Sequence, residues 1–281
     1  VEAHQVALQN RTSEGDDMLN RILRGFRSFD RIGEVATCFR NVNDAPNVVL
    51  SFIGLKQNQY PIQVADKAGR LLTLYDFADL TTLWAVWCAG EYSIPRDSRV
   101  VLDLGANIGA FSLFALASAP VCRVVAVEPF PSTFVKLVKT VELNNLQGCV
   151  NCEMVAISDK ADTLFMSSDQ AIESHSRKVS AERGDGDDIE VPSMGIADIL
   201  KKYEIDEVDY LKSDIEGAEV QLFDGTPEDI LRRARKIGVE CHSAAGQATV
   251  WKKLDRSGFK LDRVTRGSHY GNASTAEFIR Q

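Results

Sequence analysis

The chain has 281 residues and a formal net charge of −8 at pH 7, with 44% hydrophobic and 26% charged residues. That is ample material for one large domain or a domain with an appendage, and the acidic balance counts against nucleic acid, whose binders carry a basic footprint. No run of about 18 apolar residues offers a membrane span; the opening "VEAHQVALQNRTSEGDD" lacks the apolar core of a secretory signal and an initial methionine, so a cytoplasmic, trimmed or processed chain is expected.

Residues 1 to about 45 are polar and mixed, although "MLNRILRGFRSF" puts Leu19, Ile22, Leu23 and Phe26 at helical spacing. "NVVLSFIGL" and "GRLLTLYDF" read as strands, the second following a turn at Lys67–Gly69. No Ser/Gly/Pro-rich linker follows. Residues 1–95 are therefore expected to form an α+β extension packed on a core of residues 96–281. Cysteines stand at 38, 88, 122, 149, 152 and 241. Only Cys149 and Cys152 make a C-x-x-C, with no second pair or matching histidines, so buried free thiols are expected rather than a zinc or redox site.

From about residue 98, strands alternate with helices. "RVVLDLG", "CRVVAVEP", "VNCEMVAIS", "VDYLKSD" and "KIGVECH" read as strands, with "IGAFSLFALASA", "PSTFVKLVKTVELNNL", "GIADILKKY" and "AEVQLFDG" as helices between them. In the second helix Phe134, Leu137, Val138 and Val141 share one face. The helix "ATVWKKLDRSG" and the strands "FKLDRVT" and "TAEFIR" close the chain. This alternation predicts an α/β fold: a Rossmann-like, seven-stranded, mostly parallel sheet ending in an antiparallel hairpin. The interval 167–193 is long, charged and poor in apolar residues, and reads equally as a substrate lid or a surface excursion.

The stretch "VVLDLGANIGAFS" places a glycine-bracketed turn after the first strand of this sheet, where ligands of open α/β sheets sit. Gly105 allows a sharp turn and close approach of a ligand, and Gly109 lets the helix start near the sheet. A dinucleotide fingerprint would carry a second glycine where Asn107 stands, so a pyrophosphate is poorly accommodated. Asp103, just before the turn, would repel a phosphate and attract a cation. S-adenosylmethionine, with an ammonium and a sulfonium but no phosphate, fits. Glu128 ends the second strand 25 residues beyond Asp103, placed to take both ribose hydroxyls. A nicotinamide oxidoreductase and a catalytically silent binding module are the alternatives.

Together "VVLDLGANIGAFS", "VEPFPSTFVKLVKTVELNN", "AIS", "LKSDIEGAE" and the earlier "GEY" resemble the FkbM-type family of S-adenosylmethionine-dependent methyltransferases over roughly residues 88–242. The D-x-E-G-A-E element is the most specific; Ser213 stands where the family more often has an aliphatic residue. The resemblance implies a class I methyltransferase fold and methyl transfer, usually to oxygen, on natural products, sugars or glycans. It also implies cofactor roles for Glu91, Tyr92 and the "AIS" residues Ala156 and Ser158. With Asp103, Gly105, Asn107, Gly109 and Glu128, the neighbouring Ala106, Ser112 and Pro129, and Asp214 and Glu216 of the fourth strand's tip, these make the expected cofactor set.

A neutral hydroxyl needs a base to take its proton, and such a base must lie at the carboxyl end of a central strand. Asp214 tips the fourth strand on the same side as Lys212, a plausible counter-charge; Glu216 and Glu219 share a face if the next helix has begun, or else cap its start. The fifth strand ends "VECH", with Glu240 and His242 on one side. His242 is the preferred general base because an ordinary imidazole titrates near neutrality; Asp214 and Glu240 would orient it or act in its place. The same trio could instead hold magnesium or manganese, though a metal-free reaction is favoured. The expected partner is a small hydroxylated acceptor such as a sugar or polyketide. Neither the acceptor nor the oligomeric state is legible.

Overall fold

Two helices open the described part of the chain, α1 (Ile32–Asn41) and α2 (Ala45–Phe52). The computed structural model describes residues 31–159, 162–166, 179–180, 188–266 and 274–281, so the helical patch expected within 18–29 and much of the interval 167–193 lie outside it. Helix α2 replaces the strand expected from "NVVLSFIGL". Pro46 stands in its first turn, where a missing N–H costs nothing, and its buried positions are Ala45, Val48 and Ser51. That three-residue spacing belongs to a helix face, not to a strand's alternation. Strand β1 (Ile62–Ala65) pairs instead with β2 (Leu71–Leu74), antiparallel across the expected turn. Helix α3 (Phe77–Leu83) starts under an Asp76 side-chain cap and runs into a π-helical turn, Trp84–Cys88.

The alternating half begins with β3 (Val100–Leu104), α4 (Ala110–Ser118), β4 (Arg123–Val127), α5 (Pro131–Leu143) and β5 (Val150–Glu153). The short strands β6 (Ala156–Ile157), β7 (Asp162–Met166), β8 (Val179–Ser180) and β9 (Ile189–Met194) follow, then α6 (Ile196–Lys202) and β10 (Val208–Ser213). Helices α7 (Glu219–Gly225) and α8 (Glu228–Leu231), β11 (Ala234–Cys241), α9 (Ala244–Arg256), β12 (Phe259–Arg266) and β13 (Ser274–Arg280) complete the order. The main sheet runs β12-β13-β11-β10-β3-β4-β5. Its five strands from β11 to β5 are parallel, and β13 is antiparallel to both neighbours. This is the seven-stranded sheet with a terminal antiparallel hairpin that the sequence predicts, with β13 inserted between β11 and β12.

Both faces of the sheet are covered, which is why its central strands read as continuous apolar runs. Val101, Val124 and Ala126 face one core and Leu102, Leu104, Val125 and Val127 the other. The first core also contains Cys38, Leu72, Leu80, Trp84 and Trp87, so the described N-terminal residues share it with β3, β4 and α4. Trp84 stacks on Phe52 at 3.9 Å, and the Trp87 Nε1–H donates to the Ala110 carbonyl at 2.8 Å.

Within 167–193 the described residues are not loop throughout. Strand β9 pairs antiparallel with β7 in a four-stranded sheet ordered β6-β9-β7-β8, and Val191 packs on Phe130 beside the tip of β4. The six cysteines are free thiols, with Cys149 and Cys152 half-buried. No helix of the described residues is long and apolar enough to cross a membrane.

Candidate active site

The chain leaves β3 and its neighbour β10 toward opposite sides of the sheet, which opens a crevice at their carboxyl ends. Gly105 makes this close approach possible. Its φ is +80°, and a Cβ there would lie 1.8 Å from the Asp214 carbonyl oxygen. No other residue fits. Asn107 takes a left-handed conformation, φ 49°, which asparagine tolerates better than most residues. Its N–H donates to Glu128 Oε2 at 2.9 Å, while the Phe130 N–H donates to Oε1 at 3.0 Å. The backbone donor that a phosphate would use is thus already given to a carboxylate.

Glu128 is only 8% exposed, and burial pushes its pKa up to about 7 despite these two N–H donors. A hydrogen-bonded carboxylate at the tip of β4 beside a glycine turn fits a ribose diol. The Asn107 Oδ1, buried without a hydrogen-bond partner, is a further acceptor at the same turn. The turn's residues therefore fit a phosphate-free nucleoside cofactor.

Asp103 is corrected in orientation. It does not face the crevice: it is fully buried beneath the turn, accepting from Ser112 Oγ at 2.6 Å with its other oxygen 3.3 Å from Lys212 Nζ. Ser112 thus occupies one Asp103 oxygen, while the other, Oδ1, is buried without a hydrogen-bond partner and faces the Lys212 charge. Lys212 also donates to the Gly105 carbonyl at 2.7 Å and lies 3.5 Å from Asp214 Oδ2. Burial works against its charge, but Asp103 and Asp214 outweigh burial and its pKa is raised. It is the counter-charge expected, and it ties the turn after β3 to the acid at the tip of β10.

At the tips of β10 and β11 the structure brings together the three residues expected to carry the chemistry. One ligand atom from each of Asp214, Glu240 and His242 lies within 4.8 Å of the others. Glu216 and Glu219 do not share a helical face, because α7 starts only at Glu219 and Glu216 is in a left-handed turn, φ 54°. Glu219 instead accepts from the Ile215 and Gly217 N–H groups, both at 3.0 Å, bracing the loop that enters the helix. Its carboxylate lies 3.8 Å from His242 Nδ1, and Glu216 Oε2 lies 3.3 Å from His242 Nε2. The bond to Glu216 outweighs burial and, with Glu240 and Glu219, raises the His242 pKa to about 9. Burial, then the charges of Asp214 and Glu91, push Glu240 well above the carboxylate range. The neutral imidazole expected from composition is therefore an imidazolium at pH 7 in the cofactor-free chain. The trio's donor set also suits an oxygen-seeking divalent cation.

Glu91 and Tyr92 reach this crevice from the π-helical turn. Tyr92 is buried edge-on against Phe111, and it feels the charges of Asp214 and Glu240. The residues that hold the segment were not found from sequence. Arg263 donates to the carbonyls of Gly90 at 2.8 Å and Glu91 at 3.0 Å, and Glu277 accepts from the Ser93 N–H at 2.8 Å. Glu277, 1% exposed, also accepts from Tyr210 Oη at 2.6 Å and Arg263 Nε at 2.8 Å. A lone acid between Ala276 and Phe278 in the last strand was the available signal. Pro129 follows Glu128 at the tip of β4. Ala156, in β6, is fully buried and pairs with Ser193, and the buried Ser158 donates to Asp159.

The sequence profile described as the methyltransferase FkbM domain matches residues 103–261, more than half the chain. Methyltransferase sdnD of Sordaria araneosa is 25% identical over 205 residues, which cover 63% of this chain and 79% of that protein. The 31-O-demethyl-FK506 methyltransferase FkbM of Streptomyces tacrolimicus is 26% identical over 179 residues, covering 54% of this chain and 68% of that one. Among solved structures, the fibrillarin pre-rRNA processing protein of Methanococcus jannaschii aligns with a TM-score of 0.43 at 12% identity, over 67% of this chain and 69% of that one.

Proposed function

The chain belongs to the FkbM methyltransferase family, and from that premise we propose that it transfers a methyl group from S-adenosylmethionine to a hydroxyl of a small natural-product or sugar-type acceptor. The observation that carries the reading is the meeting of Asp214, Glu240 and His242 within 4.8 Å beside a turn whose phosphate-binding N–H is already taken by Glu128. The name of the FkbM relative specifies 31-O-demethyl-FK506, an O-demethylated compound, as its substrate.

In this reading Glu128 accepts from the ribose hydroxyls, Gly105, Ala106, Asn107 and Gly109 shape the wall of the cofactor site, and Pro129, Ala156 and Ser158 border the base. Asp103 and Ser112 act from beneath, by fixing Lys212 and the turn. Glu91, Tyr92, Asp214 and Glu216 supply a negative and aromatic lining suited to a sulfonium. Bound there, the cofactor would supply an activated methyl group and one positive charge.

The chain's own part is alignment, worth up to roughly 7–11 kcal/mol in favourable cases, and removal of the acceptor's proton. His242 is the proposed base, oriented by Glu216 at Nε2 and Glu219 near Nδ1, with Asp214 and Glu240 close enough to act in its place. At pH 7 its imidazolium must first lose a proton, which a cation nearby favours by opposing a second positive charge. The proposed reaction is metal-free. Activity should therefore rise with pH from 6 toward about 9. Glu216→Gln should move that rise to lower pH, because it removes the anion that most stabilises the imidazolium.

The test is methyl transfer from S-adenosylmethionine to a panel of hydroxylated acceptors, followed by mass spectrometry from pH 6 to 10 with and without chelator. Product with that profile supports the proposal. Cofactor binding with no transfer to any acceptor would instead favour a silent binding module. Activity lost to chelator and restored by magnesium would recast the trio as metal ligands.

A further inference from the structure

At the opposite end of α4 from the cofactor turn, a cavity of about 950 Å³ opens between the N-terminal residues and the main sheet's flanking helix. Phe114 and Ser118 of α4 line it, together with Trp87 of the π-helical turn. Four cations line it too: Arg40 from α1, Lys67 and Arg70 from the β1–β2 turn, and Arg96 from the segment leading into β3. The chain as a whole carries a net charge of −8, yet cations from three elements converge here.

Among the described residues that line the same space the one acid is Asp66, and it is fully engaged. It accepts from the Ala68 and Arg70 N–H groups, both at 2.9 Å, and pairs with Arg70 Nε at 2.6 Å. Among the described residues no carboxylate pairs with Arg40, Lys67 or Arg96. The walls are also braced: Arg40 donates to Thr37 Oγ1 at 2.8 Å and Asn41 Nδ2 to the Trp87 carbonyl at 2.7 Å. Like charges gathered in one concavity repel unless an anion sits among them. Guanidinium groups match phosphate and carboxylate oxygens in particular, and the volume is that of a small-molecule site.

We propose that this cavity binds a small amphipathic anion, an aromatic or alkyl body bearing a phosphate or carboxylate group. The anionic head lies toward α1 and the β1–β2 turn, where the cations are. The apolar body lies on the half-buried Phe114, Trp87 being only 2% exposed, because the carbonyl end of α4 carries partial negative charge. The site is distinct from the cofactor crevice: α4 separates the two by its nine residues, about 13 Å of helix.

The experiment is calorimetric titration of 1-naphthyl phosphate into the full chain saturated with S-adenosylhomocysteine, so that the cofactor crevice is filled and its occupancy is measured in the same sample. One saturable site per chain is expected, with affinity that falls as salt rises. The double variant Arg40→Gln/Arg96→Gln, at two exposed positions, should bind at least tenfold more weakly. The control Lys139→Gln/Lys201→Gln, which removes the same charge elsewhere, should bind like the parent. Absence of saturable binding would overturn the proposal. So would equal binding by the first double variant, or neutral 1-naphthalenemethanol binding as tightly as the phosphate. Failure of S-adenosylhomocysteine to bind would count against the methyltransferase reading and not against this one, because the variants still locate the anion.

Discussion

Glu128 has two demands on one carboxylate. Its oxygens already brace Asn107 and Phe130, and a ribose diol would use the remaining lone pairs. Both tasks need the ionised form, yet burial raises its pKa to about 7. Below that value the folded chain binds a proton that the unfolded chain, with an ordinary carboxylate, has already released. The cofactor-free fold therefore loses stability as pH rises from the ordinary carboxylate range through about 7, whereas cofactor affinity gains over the same climb. Calorimetry with S-adenosylhomocysteine should show affinity increasing from pH 6 to 8 and then levelling. Glu128→Gln should flatten that profile, and Glu128→Ala should weaken binding more than about tenfold by removing two charge-assisted hydrogen bonds. Lys212 makes the complementary case at the same scale: a lysine 3% exposed is tolerable in a central strand only because Asp103, Asp214 and the Gly105 carbonyl surround it.

At the scale of elements, the segment Gly90–Ser93 has no regular structure of its own and is fastened by strands remote in sequence. Arg263 of β12 takes two of its carbonyls, Glu277 of β13 takes the Ser93 N–H, and Lys236 of β11 donates to Ser93 Oγ at 2.7 Å. The antiparallel hairpin that closes the sheet is thus also the clamp for one wall of the crevice. Arg263→Ala should raise the KM for S-adenosylmethionine about tenfold while changing kcat much less, since it loosens Glu91 and Tyr92 without touching the strand tips. Arg263→Lys should not restore the parent value, because one ammonium cannot reproduce the planar fork. Equal losses in kcat and KM, or rescue by lysine, would show that the clamp acts otherwise. Glycine 105 is the other element-level device. Its missing Cβ lets the tips of β3 and β10 touch, and that contact is what sets the Asp214 acid against the turn.

Across the whole molecule, the division at residue 95 does not coincide with a division of the core. Trp84, Trp87, Leu72 and Leu80 belong to the same buried cluster as Val101, Phe111, Leu113 and Val124. Removing residues 1–95 would uncover apolar side chains of α4 and α5 in this shared core and leave the Ala110 carbonyl without the Trp87 donor. The fragment 96–281 alone should therefore lack a cooperative thermal transition and bind an apolar dye, while the full chain shows a single transition. A cooperatively folded, cofactor-binding fragment would mean that the first 95 residues are an independent addition.

Much of the architecture was legible in the sequence because the determining signals are local. The continuous apolar runs of β3 and β4, the helical face of Leu137 and Val141, and the glycine turn between β3 and α4 announce a buried parallel sheet with a site at its rim. The "NVVLSFIGL" stretch misled because a short apolar run suits a strand or a helix alike, and burial on the packed face, seen at Ala45, Val48 and Ser51, decides between them. The strand pattern also placed Asp214, Glu240 and His242 at strand tips, and the pairing of β10 with β11 made those tips neighbours. Only the tertiary structure decided how those groups are charged and where they point. Asp103 turns beneath the sheet's rim toward Lys212, His242 acquires Glu216, and Arg263 and Glu277 reach Gly90 and Ser93 across more than 170 residues of chain. Local sequence sets backbone preference and periodicity, whereas protonation, desolvation and long-range clamping depend on distances that exist only after the strands are laid side by side.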